Sequence, residues 1–384
     1  MSRTTDGLVS RPHVPRTLLS SLLGRLPVGM MPVALVLFVR DSDRSFDSAG
    51  LIMAAYALGA CIGGPVFSRW MDRAGQGRPL VIAGTISALP IASLPWVPWA
   101  LVLALVLVGG FATPPLEPAL RALWPHLVDP ARLPSAFAID AAAQELIFVL
   151  GPLLVLATSS VSASGGLIAA AVVTAAGVAS FITGQPSRDW VAPQQVSRHW
   201  LGPLRSRRLV LLYVAIVGLG LTVGSLPVAF VAYAESESVR GLGSWLVALN
   251  ALGALAGGVT YSRLRQHPDA GRAVGILFAA LGLTYLPLAL VPGPVAMGGL
   301  VLLSGVFLPP ALTCAFQLVD RWAPTGTTTE AFAWIISAFL VGSSGGAALS
   351  GTFADGGHLS APYLLGAAAA LLAGAIAAAT TAVG

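Results

Sequence analysis

Five charged residues stand inside long apolar runs: Arg25, Glu117, Arg121, Asp140 and Glu145. A charge held in an apolar medium costs several kcal/mol unless it is paired or wetted, so each is a candidate for function. Glu117 and Arg121 are four residues apart and can pair on one helix face. Asp140 and Glu145 share a run that starts near residue 133. At ~1.5 Å per residue, Glu145 reaches roughly 18 Å into it, near the centre of a bilayer. Taking a carboxylate out of water favours its protonated form, the property that a proton-exchanging group needs. Glu145 is therefore the candidate to carry a coupling proton or to hold a cationic group of a substrate, with Asp140 and Arg25 in the same network. The competing reading is a fixed ion pair, Arg25 with Asp140 or Glu145, that only holds helices together.

Other side chains with chemical capability are sparse. Tyr56, Gln144, Asn250, Tyr285, Gln317 and Trp334 are placed to line a cavity or to close an interhelical hydrogen bond. His126, His199, His267 and His358 fall in loops and His13 in the N-terminal tail, while Cys61 and Cys314 lie far apart within apolar runs and read as small buried residues. No metal-ligand spacing, phosphate loop or nucleophile–base pair is present, so neither a cofactor nor catalysis is expected. A second polar cluster follows the apolar stretch from residue 57, where Arg69, Asp72, Arg73, Gly75 and Arg78 form a short turn.

The elements that must position these groups follow from composition. The 384 residues are 56% hydrophobic and 10% charged, well below the charge content of about 25% in soluble domains. Mean hydropathy is +0.82. Apolar runs near or above the ~18–20 residues needed to cross a bilayer recur along the chain. They predict an all-α integral membrane protein with helices at about 17–39, 49–68, 79–96, 99–121, 133–157, 164–184, 209–232, 243–262, 272–291, 295–318, 328–350 and 360–382. Arginine supplies all 21 basic residues, and seventeen of them fall in the N-terminal tail or the even-numbered turns. That excess puts both termini and the even turns in the cytoplasm of a cell-membrane protein. Basic residues confined to short loops argue against nucleic acid as a partner. Residues 1–16 read as a cytoplasmic tail and 17–39 as a signal anchor. The interval 185–208 reads as a solvated linker whose arginines also suit anionic headgroups.

The chain also repeats itself. Residues 57–70 align with 251–264 at eight of fourteen positions, including Gly63-Gly64 with Gly257-Gly258 and Ser68-Arg69 with Ser262-Arg263. The offset of 194–195 persists from Pro32 and Pro227 through Pro114-Pro115 and Pro309-Pro310 to Gly151 and Gly346. The halves 17–184 and 209–384, six helices each, are thus expected to form two bundles related by a parallel repeat about the membrane normal. Ile335 and Leu340 answer Asp140 and Glu145, so the acidic pair belongs to one half alone.

On these features the chain resembles the major facilitator superfamily along essentially its whole length. Asp72, Arg73 and Gly75 match the Gly-x-x-x-Asp-Arg-x-Gly-Arg-Arg signature between helices two and three, while Ser68 and Gln76-Gly77 depart from it. Gly151-Pro152 resembles part of the helix-five signature of drug–proton antiporters. The resemblance implies a transporter that alternates access by rocking its two halves. It also implies that the start of helix eleven lies near Asp72. Thr327 three residues before Glu330 reads as a capping box there. Asp72 is then expected to latch the halves, with Arg73 and Arg78 orienting it or pairing with Glu330. The function expected is proton-coupled export of a small, partly apolar molecule by a monomer. The alternatives are a proton-independent facilitator, a nutrient importer, or a non-transporting sensor of the same fold.

Overall fold

The computed structural model describes residues 13–44, 46–159, 162, 164–190, 201–239, 242–263 and 270–382. No strand occurs among them. Twelve segments are long and apolar enough to cross a membrane: Val14–Val39, Leu51–Ala74, Gly77–Trp96, Trp99–Leu127, Pro130–Ser159, Gly165–Ile182, Arg207–Ser236, Trp245–Arg263, Ala270–Leu290, Pro294–Trp322, Thr328–Ala354 and Ala361–Thr380. The α-helices in the first half are α1 (Val14–Asp41), α2 (Phe46–Ala74), α3 (Gly77–Ser93), α4 (Trp99–Phe111), α5 (Leu116–Leu127), α6 (Leu133–Ser159), α7 (Gly165–Ile182) and the short α8 (Gln185–Asp189). Those in the second half are α9 (Arg207–Ser236), α10 (Leu242–Arg263), α11 (Ala270–Tyr285), α12 (Pro294–Gly305), α13 (Leu308–Trp322), α14 (Thr328–Asp355) and α15 (Ala361–Ala382).

Three features differ from the sequence reading. The fourth and tenth spans are each two helices, because Pro115 sits just before α5 and Pro309 opens α13. Proline lacks the N–H that a continuous ladder requires there but is well accommodated at a helix start. Second, α2 runs on to Ala74, so Asp72 lies on its last turn and not in a loop. Gly75, at φ +84°, ends that helix and donates its N–H to Met71 O at 2.9 Å. Third, the linker opens with α8, which packs on α7 and α5, and it closes with a 3₁₀ turn, Gly202–Arg205. Residues 191–200 of the linker lie outside the described residues.

The chain forms two compact units. The first holds the described residues up to 130 with 143–203 and 324–337, and the second holds 131–142, 204–323 and the described residues from 338 on. In the first unit α1 packs on α7, α2 on α4, and α3 on α7. In the second, α9 packs on α15, α10 on α12, and α11 on α15, so the repeat-related helices choose repeat-related partners. Glycine sets how closely they meet. A methyl built on Gly63 of α2 would lie 1.6 Å from Phe111 O, and one on Gly257 of α10 would lie 1.9 Å from Val306 O. Across the same contacts, Gly110 faces Tyr56 O and Gly305 faces Asn250 O. Small residues at such crossings let backbones touch, which is where membrane helices gain their packing energy.

Gly63→Ala and Gly257→Ala should each lower stability by about 1–3 kcal/mol or more, because backbone must move to admit the methyl. A methyl added at Gly64, beside Gly63, would meet nothing within 4 Å, so Gly64→Ala should leave the Tm unchanged or slightly raised. Melting of the purified protein in detergent distinguishes the three; equal behaviour of Gly63→Ala and Gly64→Ala would contradict the close-approach explanation.

Candidate functional site

The clearest polar constellation lies in the first unit, where the end of α2 meets the start of α14. Asp72 is buried, with Oδ1 accepting from Thr329 N at 3.0 Å and Oδ2 from Glu330 N at 2.8 Å. These amides belong to the first turn of α14, whose leading N–H groups have no acceptor within the helix. A carboxylate there also meets the positive end of the helix dipole. The expected capping box does not form. Thr327 donates its hydroxyl to Pro324 O at 2.8 Å, and the Glu330 amide it would have capped is taken by Asp72.

Glu330 turns its carboxylate to other partners. Arg69 Nε donates to Oε2 at 2.8 Å, and Arg69 Nη2 donates to Oε1. Trp334 Nε1, one turn along α14, donates to Oε1 at 3.3 Å. The pairing expected of Arg73 or Arg78 is corrected: both side chains are exposed, and the two-pronged partner of Glu330 is Arg69, one turn before Arg73 on α2. A guanidinium fork opposite a buried carboxylate gives direction as well as charge. Gly202 completes the group. It sits at φ +50°, and a methyl there would fall 2.6 Å from Glu330 Oε2. Ser337 Oγ, farther along α14, donates to Cys61 O at 2.8 Å.

A second constellation joins α1 and α5 in the same unit. Arg121 Nη2 is 2.5 Å from Glu117 Oε1, one helical turn apart, and Arg25 Nη2 is 3.5 Å from Glu117 Oε2. Both arginines are nearly sealed, at 2–3% exposure, while Glu117 keeps 20%. Ser21 Oγ donates to Leu116 O at 3.3 Å and ties the same two helices. Glu117 is thus a partner of Arg25, beside the Asp140 or Glu145 expected from the sequence; Asp140 is wholly buried in the second unit. The Glu145 side chain lies outside the described residues, although its backbone belongs to α6.

Two of the remaining cavity candidates are hydrogen-bonded across the bundle. Tyr56 OH and Thr113 Oγ1 are 3.1 Å apart. At the repeat-equivalent place Asn250 Nδ2 donates to Ser304 Oγ at 3.0 Å. Tyr285 and Gln317 are buried, and Gln144 is half-buried. Sequence reasoning placed Arg69 in the polar turn but missed its pairing with Glu330, and it missed Gly202. Ser68-Arg69 recurs as Ser262-Arg263, so the repeat marked Arg69; nothing in the local sequence marks Gly202. Among the described residues, no group of three His, Cys, Asp or Glu side chains is placed to hold a metal ion.

A family model described as Major Facilitator Superfamily matches residues 17–303. Among solved structures, a bacterial homologue of the iron transporter ferroportin in an outward-facing state is 16% identical, covers 96% of this chain and 99% of its own, and superposes with a TM-score of 0.79. The human organic anion transporter MFSD10 (TETRAN) is 17% identical over 95% of this chain and 99% of its own, with a TM-score of 0.75. The E. coli fucose:proton symporter FucP is 14% identical over 96% of this chain and 98% of its own, with a TM-score of 0.70. No curated protein shows significant sequence similarity. At these identities the likeness is one of fold.

The Arg69–Glu330 geometry yields a direct test. A double-mutant cycle with Arg69→Gln and Glu330→Gln should give a coupling of about 1 kcal/mol in thermal stability, and the cycle with Arg73→Gln in place of Arg69→Gln should give none. Equal coupling for the two arginines would contradict the assignment.

Proposed function

Because the chain belongs to the Major Facilitator Superfamily, we propose that it works by alternating access as a proton-coupled exporter of a small, partly apolar molecule. It is a multi-pass membrane transporter by family and fold. In the proposed arrangement it sits in the cytoplasmic membrane as a monomer, with both termini and the linker in the cytoplasm. The bundles 17–184 and 209–384 rock about a central substrate path.

The observation that carries this reading is the Asp72 carboxylate on the leading amides of α14. Residues 72 and 330 belong to different six-helix halves of the sequence. A rocking motion that opens the cytoplasmic side has to break this contact once per cycle. We assign it the role of a gate latch, braced by Arg69 through Glu330, with Gly75 ending α2 beside it.

The proposed coupling site is Glu145 with Arg25, Glu117 and Arg121. Gly29 of α1 packs against Ile147 and Gly151 of α6. Arg25 precedes Gly29 by about one turn and Glu145 precedes Ile147 by two residues, so these charges sit at similar levels along packed helices. With Glu145 ionised the two arginines and two glutamates of this site sum to zero, and with Glu145 protonated they sum to one positive charge. A proton gained or lost at Glu145 changes the charge of the site by one unit. That is enough to bias a two-state equilibrium in either direction. Iron, organic anions and fucose belong to the fold neighbours and do not enter this reading.

Proteoliposomes with an imposed pH gradient test it. Asp72→Asn should lower substrate flux about tenfold with unchanged insertion, and Glu145→Gln should abolish gradient-driven accumulation. Gradient-driven flux at the wild-type rate in Glu145→Gln would remove Glu145 as the proton carrier. Wild-type flux that ignores the pH gradient would indicate a facilitator, and binding without accumulation a sensor.

A further inference from the structure

The Glu330 carboxylate, on a residue 2% exposed, has three kinds of neighbour. Arg69 offers a two-pronged fork, with Nε donating to Oε2 at 2.8 Å and Nη2 donating to Oε1. Trp334 Nε1, one turn along α14, donates to Oε1 at 3.3 Å. The third neighbour is bare backbone at the end of the linker. A methyl built on Gly202 would lie 2.6 Å from Oε2 and 2.8 Å from Oε1. All of these residues belong to the first unit.

The end of the linker is built, not merely solvated. Gly202 and Pro203 are buried in the 3₁₀ turn Gly202–Arg205. Gly202 stands at φ +50°, a conformation costly to any residue with a Cβ, and Pro203 narrows the choice further. Ser206, directly after the turn, caps α9 by accepting from Leu209 N at 3.4 Å, so the turn runs straight into a fixed helix start. If a methyl were added at residue 202, the atoms that must yield are the far end of a flexible side chain, the Glu330 carboxylate. What is lost is its aim. Pushed off the Arg69 fork, a buried charge loses its partner. It also remains beside Asp72, a carboxylate of like sign that accepts from the Glu330 amide at 2.8 Å.

Building on the reading of Asp72 as a gate latch, we propose that Gly202 is a positioning residue of that gate. With Trp334 it forms a cradle that aims Glu330 at Arg69, which makes the end of the linker a working part of the latch. Gly202 leads into α9, and Glu330 and Trp334 stand on α14, whereas Arg69 and Asp72 stand on α2. In a rocking cycle Arg69 departs from Glu330 while the cradle stays with it. Each closure then meets a carboxylate that is already oriented, and less ordering is required at the moment of contact.

Hydrogen–deuterium exchange of the full-length protein in lipid nanodiscs reads the latch without a transported substrate, because Asp72 accepts from the Thr329 and Glu330 amides. Gly202→Ala should raise exchange at these amides about tenfold, with exchange along α9 as in wild type. Glu330→Ala removes the carboxylate together with its charge and should raise exchange only about threefold. The combination Gly202→Ala/Glu330→Ala should match Glu330→Ala alone and exchange more slowly than Gly202→Ala. Backbone strain at residue 202 would persist in the combination, which would then exchange at least as fast as Gly202→Ala. That result, or wild-type exchange in Gly202→Ala, would overturn the proposal. Asp72→Asn provides the reference for an open latch. If it raises exchange and Gly202→Ala does not, the latch stands and the cradle falls. If both raise exchange while Asp72→Asn transports at the wild-type rate, Gly202 positions Glu330 and the gate role of the contact falls.

Discussion

A helix whose start is buried against a neighbour leaves its first N–H groups without acceptors of its own. At the start of α14 the nearest local acceptor is already occupied, because Thr327 directs its hydroxyl to Pro324 O. The acceptors come instead from another helix, through the two oxygens of Asp72. Several neighbouring choices follow from that arrangement. Gly75 takes a left-handed conformation and stops α2 just beyond the carboxylate. Glu330, freed from any capping role, faces Arg69 and Trp334. Gly202 brings the end of the linker against Glu330 at a distance that no larger residue permits.

The second unit has the same framework, and its described residues show a neutral contact at the equivalent place. The start of α6 meets the end of α10 in the second unit, where Ser135 Oγ donates to Ser262 O at 3.2 Å. Ser135 answers Glu330 by the repeat offset, and Gln266, outside the described residues, answers Asp72. A serine hydroxyl bonded to one carbonyl is a neutral contact, roughly half as strong as a charge-assisted one. The repeat therefore preserves helix packing, through Gly63 and Gly257 or Tyr56 and Asn250, while the junction of Asp72 with α14 belongs to the first unit.

That division explains what the sequence made legible. Hydropathy and the 194–195 offset located the twelve spans, and the glycines shared by the repeat turned out to be points of backbone contact. The Asp-Arg-x-Gly spacing located Asp72, and the family pattern brought it to helix eleven. Partner choice was less legible. Arg25 forms an ion pair with Glu117 because α1 crosses α5 at that level, a fact of packing that spacing along one chain does not encode. Arg69 was obscured because the signature draws attention to the arginine after the aspartate. Helix ends beside Pro115 and Pro309 were knowable in principle, since proline punctuates a helix wherever its missing N–H would matter. The short α8, Gln185–Asp189, is a helix of five residues that hydropathy does not register.

The proposed latch also has to be of limited strength. Hydrogen bonds to a charged acceptor contribute about 1.5–3 kcal/mol each, and the two to Asp72 together would favour the latched state by a factor of several hundred or more if nothing offset them. A transporter that cycles cannot rest so far to one side. Burial of the carboxylate supplies an offset, because removing the charge from water opposes the bonds that it forms. The proposed role thus places Asp72 where desolvation and capping nearly balance, so that a differential of a few kcal/mol from substrate or proton decides the state. An asparagine at this position would present one oxygen and one NH₂ to two N–H donors. It would satisfy one amide and oppose the other, while avoiding the cost of burying a charge. The isosteric change therefore tests the balance itself: it alters which state is favoured without removing the helix contacts that hold the first unit together.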